Sequence, residues 1–199
     1  MDSAGANFLK FLGTAGARQV VSQQLRASGG LWLQAEGVRL LIDPGPGALV
    51  RIINSRPRLN PRLLNGIVLT HRHIDHSGDL NVMIEAMTEG GTNPRGTLFL
   101  PSDAIEDEPV VFRYARRYLS ELVLLHEGGG YTLGKLGFET PVRHRHAVET
   151  YGLKIHLENL SLSIISDTGF FPELADAYRS ELLVMNTLTL KHSPLTKDI

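Results

Sequence analysis

Residues 70–80 read THRHIDHSGDL and hold an unusual cluster of histidine and aspartate. The stretch follows an apolar run at residues 66–70, typical of a strand buried on both faces, and precedes a helical pattern at residues 78–89. A loop between a strand and a helix can bring several side chains to one point on a rigid scaffold. Within six residues, the loop holds four potential metal ligands: His71, His73, Asp75 and His76.

The spacing of these ligands predicts two metal ions. His71 and His73 are two residues apart, so in an extended segment their side chains point the same way. Asp75 and His76 follow after the chain turns and can face a second ion. Imidazole nitrogen and carboxylate oxygen suit zinc, manganese or iron, and the absence of cysteine excludes thiolate zinc sites, iron–sulfur clusters and a cysteine nucleophile.

Two ions need further ligands, and the sequence offers three later candidates. His144 and His146 both lie just ahead of a predicted strand. Asp167 ends another strand, two residues before Gly169, where a carboxylate can bridge two cations or simply form the turn. The remaining histidines, for which an ordinary surface or strand role is favoured, are His126, His156 and His192.

Composition and hydropathy predict a soluble α/β (α+β) protein with its sheets inside. The 199 residues carry a net charge of −1, and we expect one domain over residues 1–199. No apolar run approaches the ~18 residues of a membrane span, and the N-terminus lacks the basic-then-apolar order of a secretion signal, so we expect a cytoplasmic protein with no membrane partner. The pattern predicts strands at 7–13, 31–35, 38–42, 66–70, 97–100, 121–125, 131–133, 138–142, 151–157, 161–165 and 181–185, helices at 48–55, 78–89, 110–119 and 172–178, and a loop at 14–30.

THRHIDHSGDL resembles the HxHxDH signature of the metallo-β-lactamase superfamily. FLGTAGAR, LLIDPGPGAL and IISDTGF extend the resemblance in the expected order. FLGT, HAVETYGLKI and SDTG are most similar to the ribonuclease Z-like branch, which contains the tRNA 3′-processing endonuclease and related phosphodiesterases. The resemblance implies a four-layer αββα sandwich with two divalent ions, zinc favoured over manganese or iron, at the sheet edge.

The resemblance also implies a role for each site residue. His71, His73 and His146 would hold one ion, Asp75 and His76 the second, and Asp167 both. His146 is preferred to His144 because its distance to Tyr151 and Gly152 fits the branch pattern. Asp43 would support the metal loop through hydrogen bonds rather than as a ligand.

The expected reaction is hydrolysis of a phosphodiester, from a small molecule or a nucleic acid, by a metal-bound hydroxide. Asp75 is the predicted catalytic residue, which orients the nucleophile and accepts its proton. The alternatives are hydrolysis of a thioester, lactone or β-lactam, and a catalytically silent metal-binding protein. A tRNA substrate has weaker support, from the basic residues Arg113, Arg116, Arg117, Arg143 and Arg145.

Family members continue beyond the region that matches LLVMNTLTLKHSPLTKDI and add a helix, a strand and a last histidine ligand. We therefore expect a C-terminally shortened domain: either the chain is truncated, or the second metal site is incomplete and the activity is weak or absent. We also expect exposed apolar surface that favours a homo-oligomer such as a dimer.

Overall fold

The structure, a computed structural model, describes residues 7–15, 18–23, 26–106 and 108–185. Its strands form two sheets. The first sheet contains β1 (Phe8–Phe11), β2 (Leu31–Ala35), β3 (Val38–Ile42), β4 (Gly66–Val68), β5 (Thr97–Leu100) and β6 (Glu121–Leu124), in that order. The second contains β7 (Gly129–Leu133), β8 (Leu136–Thr140), β9 (Leu153–Leu157), β10 (Leu160–Ile165) and β11 (Leu182–Met185), in sequential order.

The first sheet changes from antiparallel to parallel pairing at β3. Strands β2 and β3 form a hairpin whose turn residues, Glu36 and Gly37, both have positive φ (52° and 76°), as the tightest hairpin turns require. From β3 to β6 the strands run parallel. The carboxyl ends of β3, β4 and β5 therefore meet at one edge of the sheet. Asp43 follows β3 at this edge, and His71 follows β4.

The second sheet is antiparallel except for the β10–β11 pair. The loop between β8 and β9 carries His144 and His146, and Asp167 follows β10. Ser166, directly after β10, lies with its Oγ 2.7 Å from the Oγ1 of Thr70. The two sheets thus bring their ligand-bearing ends together.

Six α-helices occur in the described residues: α1 (Arg18–Ser22), α2 (Ala48–Ile53), α3 (Ile74–Ser77), α4 (Leu80–Thr88), α5 (Arg113–Arg116) and α6 (Glu173–Ala177). α4 ends where Glu89 and Gly90 both take positive φ, a common helix stop. None of these helices is long and apolar enough to span a membrane.

Three hydrophobic clusters account for the layers. The first lies between the first sheet and its helices and includes Trp32, Ile67 and Met83. The second fills the space between the sheets, where Phe99 and Phe138 meet edge to face with centroids 5.0 Å apart. A third, smaller cluster lies at the end of the second sheet with α6: Ile165, Phe171, Leu174 and Tyr178. Two sheets flanked by helices confirm the predicted α/β sandwich.

Three local predictions need correction. The predicted loop at 14–30 contains α1. The predicted helix at 110–119 is reduced to α5, because the amides of Arg117 and Tyr118 bond three residues back and tighten the chain into a turn. The strand at 181–185 was predicted to be buried. Instead, β11 pairs only with β10 among the described residues, and Leu182, Leu183 and Met185 are about half exposed.

Candidate metal centre

Two overlapping groups of ligand atoms meet where the sheets converge. His71, His73 and His146 form one group, with their ligand atoms within 4.8 Å of one another. His71, His76 and Asp167 form the other, under the same distance limit. The Nε2 of His146 lies 3.0 Å from the Nδ1 of His73, although the residues are 73 positions apart in the chain.

Local backbone structure separates the two groups. His71 and His73 leave β4 in an extended segment, and α3 then begins immediately after His73. This single helical turn carries Asp75 inward, where it is buried, and directs His76 toward Asp167. Asp75 belongs to neither group, but its Oδ2 lies 3.8 Å from the Nε2 of His76.

Asp43 supports both segments of the motif. Its Oδ1 accepts from the backbone N–H of Thr70 (2.7 Å), and its Oδ2 accepts from the Thr70 hydroxyl (2.7 Å) and lies 2.9 Å from the Nδ1 of His76. Because a carboxylate oxygen accepts, the Nδ1 of His76 carries the proton and its Nε2 is directed to Asp75 and Asp167, both 3.8 Å away. Burial opposes the charged form of His76, but Asp43, Asp167 and Asp75 together raise its pKa to about 9.

The protonation of His71 leaves one nitrogen available to a cation. The Thr70 hydroxyl donates to Asp43, so it accepts at 3.1 Å from the Nδ1–H of His71. The Nε2 then has a lone pair, and it is buried without a hydrogen-bond partner in the described part of the chain. Burial, then the nearby imidazoles of His76, His73 and His146, lower the pKa of His71 far below its ordinary value, so the ring is neutral.

A second buried atom has the same property. The Oδ1 of Asp75 has no hydrogen-bond partner among the residues that the structure describes. Buried polar atoms are normally paired. Six buried side-chain atoms have no hydrogen-bond partner among the described residues, and these two lie together beside a cluster of imidazoles, where a cation would satisfy both. Imidazole nitrogens and carboxylate oxygens are the donor set of catalytic zinc sites. The residues present therefore fit divalent cations.

The structure separates the two histidines that the sequence left as alternatives. His146 joins the first ligand group, whereas His144 is buried elsewhere, with its Nε2 3.1 Å from the hydroxyl of Tyr178. His126 and His156 lie outside both ligand groups. His192 lies outside the described residues.

Sequence reasoning did not identify several residues that hold the site in place. The hydroxyl of Ser166 contacts Thr70, and the Oε2 of Glu149 accepts from the N–H and hydroxyl of Ser102. Glu149 lies three residues after His146, within the HAVETY segment. This closeness to a candidate ligand was the one feature of the sequence that could have indicated its role. The contact between Tyr178 and His144 spans 34 residues and gives no local pattern.

A cavity of about 220 Å³ adjoins the second ligand group. Asp75 and His76 form part of its polar wall. Its apolar wall comes from strands of both sheets and includes Phe11, Leu31, Ile165 and Met185. The site therefore has an apolar pocket on the side of His76.

Comparison with known sequences gives a family and a relative. The family model described as a β-lactamase superfamily domain matches residues 38–195. The uncharacterized protein MJ1374 of Methanocaldococcus jannaschii is 30% identical over 192 residues, which cover 92% of this chain and 70% of that protein.

Several solved structures share the fold. The metallo-β-lactamase fold protein YhfI from Bacillus subtilis is 17% identical with a TM-score of 0.57, over 71% of this chain and 57% of that chain. A diphosphatase from the PhnP family is 21% identical (TM-score 0.59; 83% and 66% covered). Zn²⁺-bound PqqB from Methylobacterium extorquens is 16% identical (TM-score 0.63; 81% and 60% covered). The chain thus spans less than two thirds of the length of each of these three structures.

Proposed function

Because the chain belongs to the β-lactamase superfamily, we propose that it is a metal-dependent hydrolase that cleaves phosphodiesters at the candidate metal centre. One observation carries the proposal: the Nε2 of His71 and the Oδ1 of Asp75 are buried acceptors without a hydrogen-bond partner in the described ranges. Both atoms belong to the cluster formed by the HxHxDH motif.

The proposed ligands divide between two divalent ions, for which zinc is the favoured metal. His71, His73 and His146 would hold one ion, Asp75 and His76 the other, and Asp167 both. Such a pair of ions, when bound, supplies hydroxide at neutral pH and stabilises the charge that develops on the substrate.

The chain's own residues orient the nucleophile and accept its proton. Asp75 has one oxygen near His76 and the other without a hydrogen-bond partner among the described residues, so its carboxylate can act both as a ligand and as a proton acceptor. Asp43 accepts the Nδ1 proton of His76 and keeps the Nε2 directed into the site, where a cation would replace the second proton that the raised pKa of His76 implies. Asp75 is therefore the proposed catalytic residue.

The choice of phosphodiesters has two supports. The FLGT, HAVETYGLKI and SDTG segments resemble the ribonuclease Z-like branch, and they contribute the cavity wall, His146 and Asp167 respectively. The similarity in fold to a diphosphatase of the PhnP family agrees with phosphorus as the reacting centre. The fold is also shared with enzymes named metallo-β-lactamases, such as Rm3 (TM-score 0.53), so lactam hydrolysis is the competing activity to test.

A substrate panel tests the proposal. The zinc-loaded chain is assayed on bis(4-nitrophenyl) phosphate, a chromogenic cephalosporin and a chromogenic thioester, alongside His73→Ala and Asp75→Ala. The control is His156→Ala, which removes a histidine outside both ligand groups. We expect phosphodiester turnover whose kcat/KM falls about 100-fold or more in the two site variants and is unchanged in the control.

Three results would contradict this proposal. Site variants that keep both their metal and their turnover would remove the metal centre from the reaction. Faster turnover of the cephalosporin or the thioester would replace the substrate class. Full metal occupancy without turnover of any substrate would favour a silent metal-binding protein.

A further inference from the structure

A buried pair, His144 and Tyr178, lies behind the candidate metal centre and has no part in the proposed chemistry. Their side chains are almost entirely inaccessible to solvent, at 3% and 2% exposure. The Nε2 of His144 lies 3.1 Å from the Tyr178 hydroxyl, and its Nδ1 lies 3.3 Å from the backbone carbonyl of Asp167. His144 therefore connects Tyr178, at the end of α6, to the proposed bridging ligand.

The proton positions in this pair follow from its partners. The carbonyl of Asp167 can only accept, so the Nδ1 of His144 carries the proton and its Nε2 is an acceptor. The hydroxyl proton of Tyr178 faces this Nε2 at 3.1 Å and, at a longer 3.3 Å, the backbone carbonyl of Val142. The Tyr178 oxygen in turn accepts from the backbone N–H of Gly152 at 3.1 Å. Each nitrogen of the ring thus has a partner of the right kind.

We infer that His144 is a positioning residue, which holds the backbone of Asp167 so that the Asp167 carboxylate can serve both ions. The inference rests on the proposed function, because it gives Asp167 the bridging role.

The loop that carries Asp167 is bonded to the segment that carries His144. Asp167 lies just beyond β10. Further along, the N–H of Gly169 donates to the carbonyl of Arg145 (2.9 Å), and the hydroxyl of Thr168 accepts from the N–H of Arg145 (3.2 Å). The loop that follows β10 is thus tied at two points to the segment that carries His144 and His146.

Tyr178 gives the connection a rigid base. It packs in the cluster of Phe171 and Leu174 at the end of the second sheet. A carbon added to Gly152 would lie 2.8 Å from the Tyr178 ring, so the backbone there is in close contact with the aromatic group. A rotation of Asp167 therefore requires a displacement of His144 against a packed core.

Two amide substitutions separate the two nitrogens of His144. The side-chain amide of His144→Asn lies near the position of the Nδ1 and can donate to Asp167. The longer His144→Gln places its amide near the Nε2 and keeps only the bond to Tyr178. The control is His156→Gln, because His156 is exposed and bonds to Glu139 on the neighbouring strand β8.

Two readouts make the outcomes distinct. Hydrogen exchange of the Gly169 amide is measured in the metal-free chain, and zinc affinity is measured by competition with a chromophoric chelator. We expect His144→Gln to speed the exchange about 10-fold or more and to weaken the more weakly bound ion about 10- to 100-fold. His144→Asn and His156→Gln are expected to remain within about threefold of the parent chain.

Unchanged exchange and unchanged zinc affinity in His144→Gln would overturn the inference, as would equal losses in His144→Asn. If neither amide variant folds, His144→Leu decides. It removes the donor to the carbonyl of Asp167 and fills a similar volume, and it must speed Gly169 exchange and weaken zinc binding for the inference to stand. Faster Gly169 exchange in His144→Gln than in the parent, together with a parent chain that binds no zinc, would support the positioning role and would reject the proposed function.

Discussion

Replacing Asp43 with asparagine tests how the second half of the metal centre is held in place. The Asp43 carboxylate accepts from Thr70 through both of its oxygens and from the Nδ1–H of His76. Asparagine has one acceptor oxygen, so its amide N–H₂ must face donors on one side. The backbone of Asp43 has φ 52°, a left-handed conformation that asparagine also tolerates. The substitution therefore changes the hydrogen bonds and leaves the turn intact.

The expected loss follows from these contacts. Hydrogen bonds to a charged group contribute about 1.5–3 kcal/mol each, and the side chain of Asp43 is only 13% exposed, so solvent screens them little. At least one of the hydrogen bonds from Thr70 or His76 is lost, because the asparagine N–H₂ then faces another donor. We expect the free energy of unfolding of the metal-free chain to fall by about 2–4 kcal/mol. Zinc affinity should fall about 10- to 100-fold, because the His76 ring is no longer fixed.

Urea unfolding at pH 7 and a chelator competition assay measure the two quantities. The matched control is Asp176→Asn, which alters an exposed carboxylate paired with Arg179 on the surface. We expect this control to match the parent chain in both assays. A loss of stability below about 0.5 kcal/mol in Asp43→Asn, together with unchanged zinc affinity, would refute the supporting role of Asp43.

Three further perturbations probe the fold and the site. A Cβ added at Gly45 would lie 2.1 Å from the backbone carbonyl oxygen of Asp75. Gly45→Ala should therefore lower the free energy of unfolding, measured in urea, by about 1–3 kcal/mol. The control Gly137→Ala, whose added Cβ would have no atom within 4 Å, should lower it less. Burial alone would raise the pKa of Glu149, but hydrogen bonds, first from Ser102, lower it below the ordinary 4.5. The resulting stability is present above pH 4.5 and is lost as the pH falls through the lowered pKa, so acid titration of unfolding should show a smaller loss for Glu149→Gln than for the parent. Chelation of the bound metal should lower the Tm of the parent chain, measured by calorimetry, and leave the Tm of His73→Ala nearly unchanged. A larger decrease in His73→Ala than in the parent would contradict this expectation.

Local signals explain which elements the sequence could predict. The hairpin of β2 and β3 was predicted with the observed bounds, because its apolar alternation and its Glu36–Gly37 turn are both contained in twelve residues, 31–42. α5 was overestimated because periodicity does not reveal where i to i+3 bonds replace helical ones. The burial of β11 was overestimated because an apolar run does not specify whether a strand lies inside a sheet or at its edge.

In the candidate site too, the features that depend on neighbouring residues could be predicted and those that depend on distant contacts could not. The four candidate ligands of residues 70–80 are close together in sequence, so their clustering is visible without a structure. The contacts that orient them are not local, since Asp43 meets His76 across 33 residues and Thr70 meets Ser166 across 96. His144 and His146 would face the same way in an extended strand. The chain instead bends between them, with the N–H of His146 bonded to the carbonyl of His144.

Anomalous diffraction at the zinc edge, from crystals of the zinc-loaded chain, would locate the bound ions directly. We predict two peaks per chain, one within bonding distance of His71, His73 and His146, and one within bonding distance of Asp75 and His76, with Asp167 reaching both. Peaks only at other positions, or none in crystals in which these side chains are ordered, would contradict the assignment of this cluster as a dinuclear metal centre.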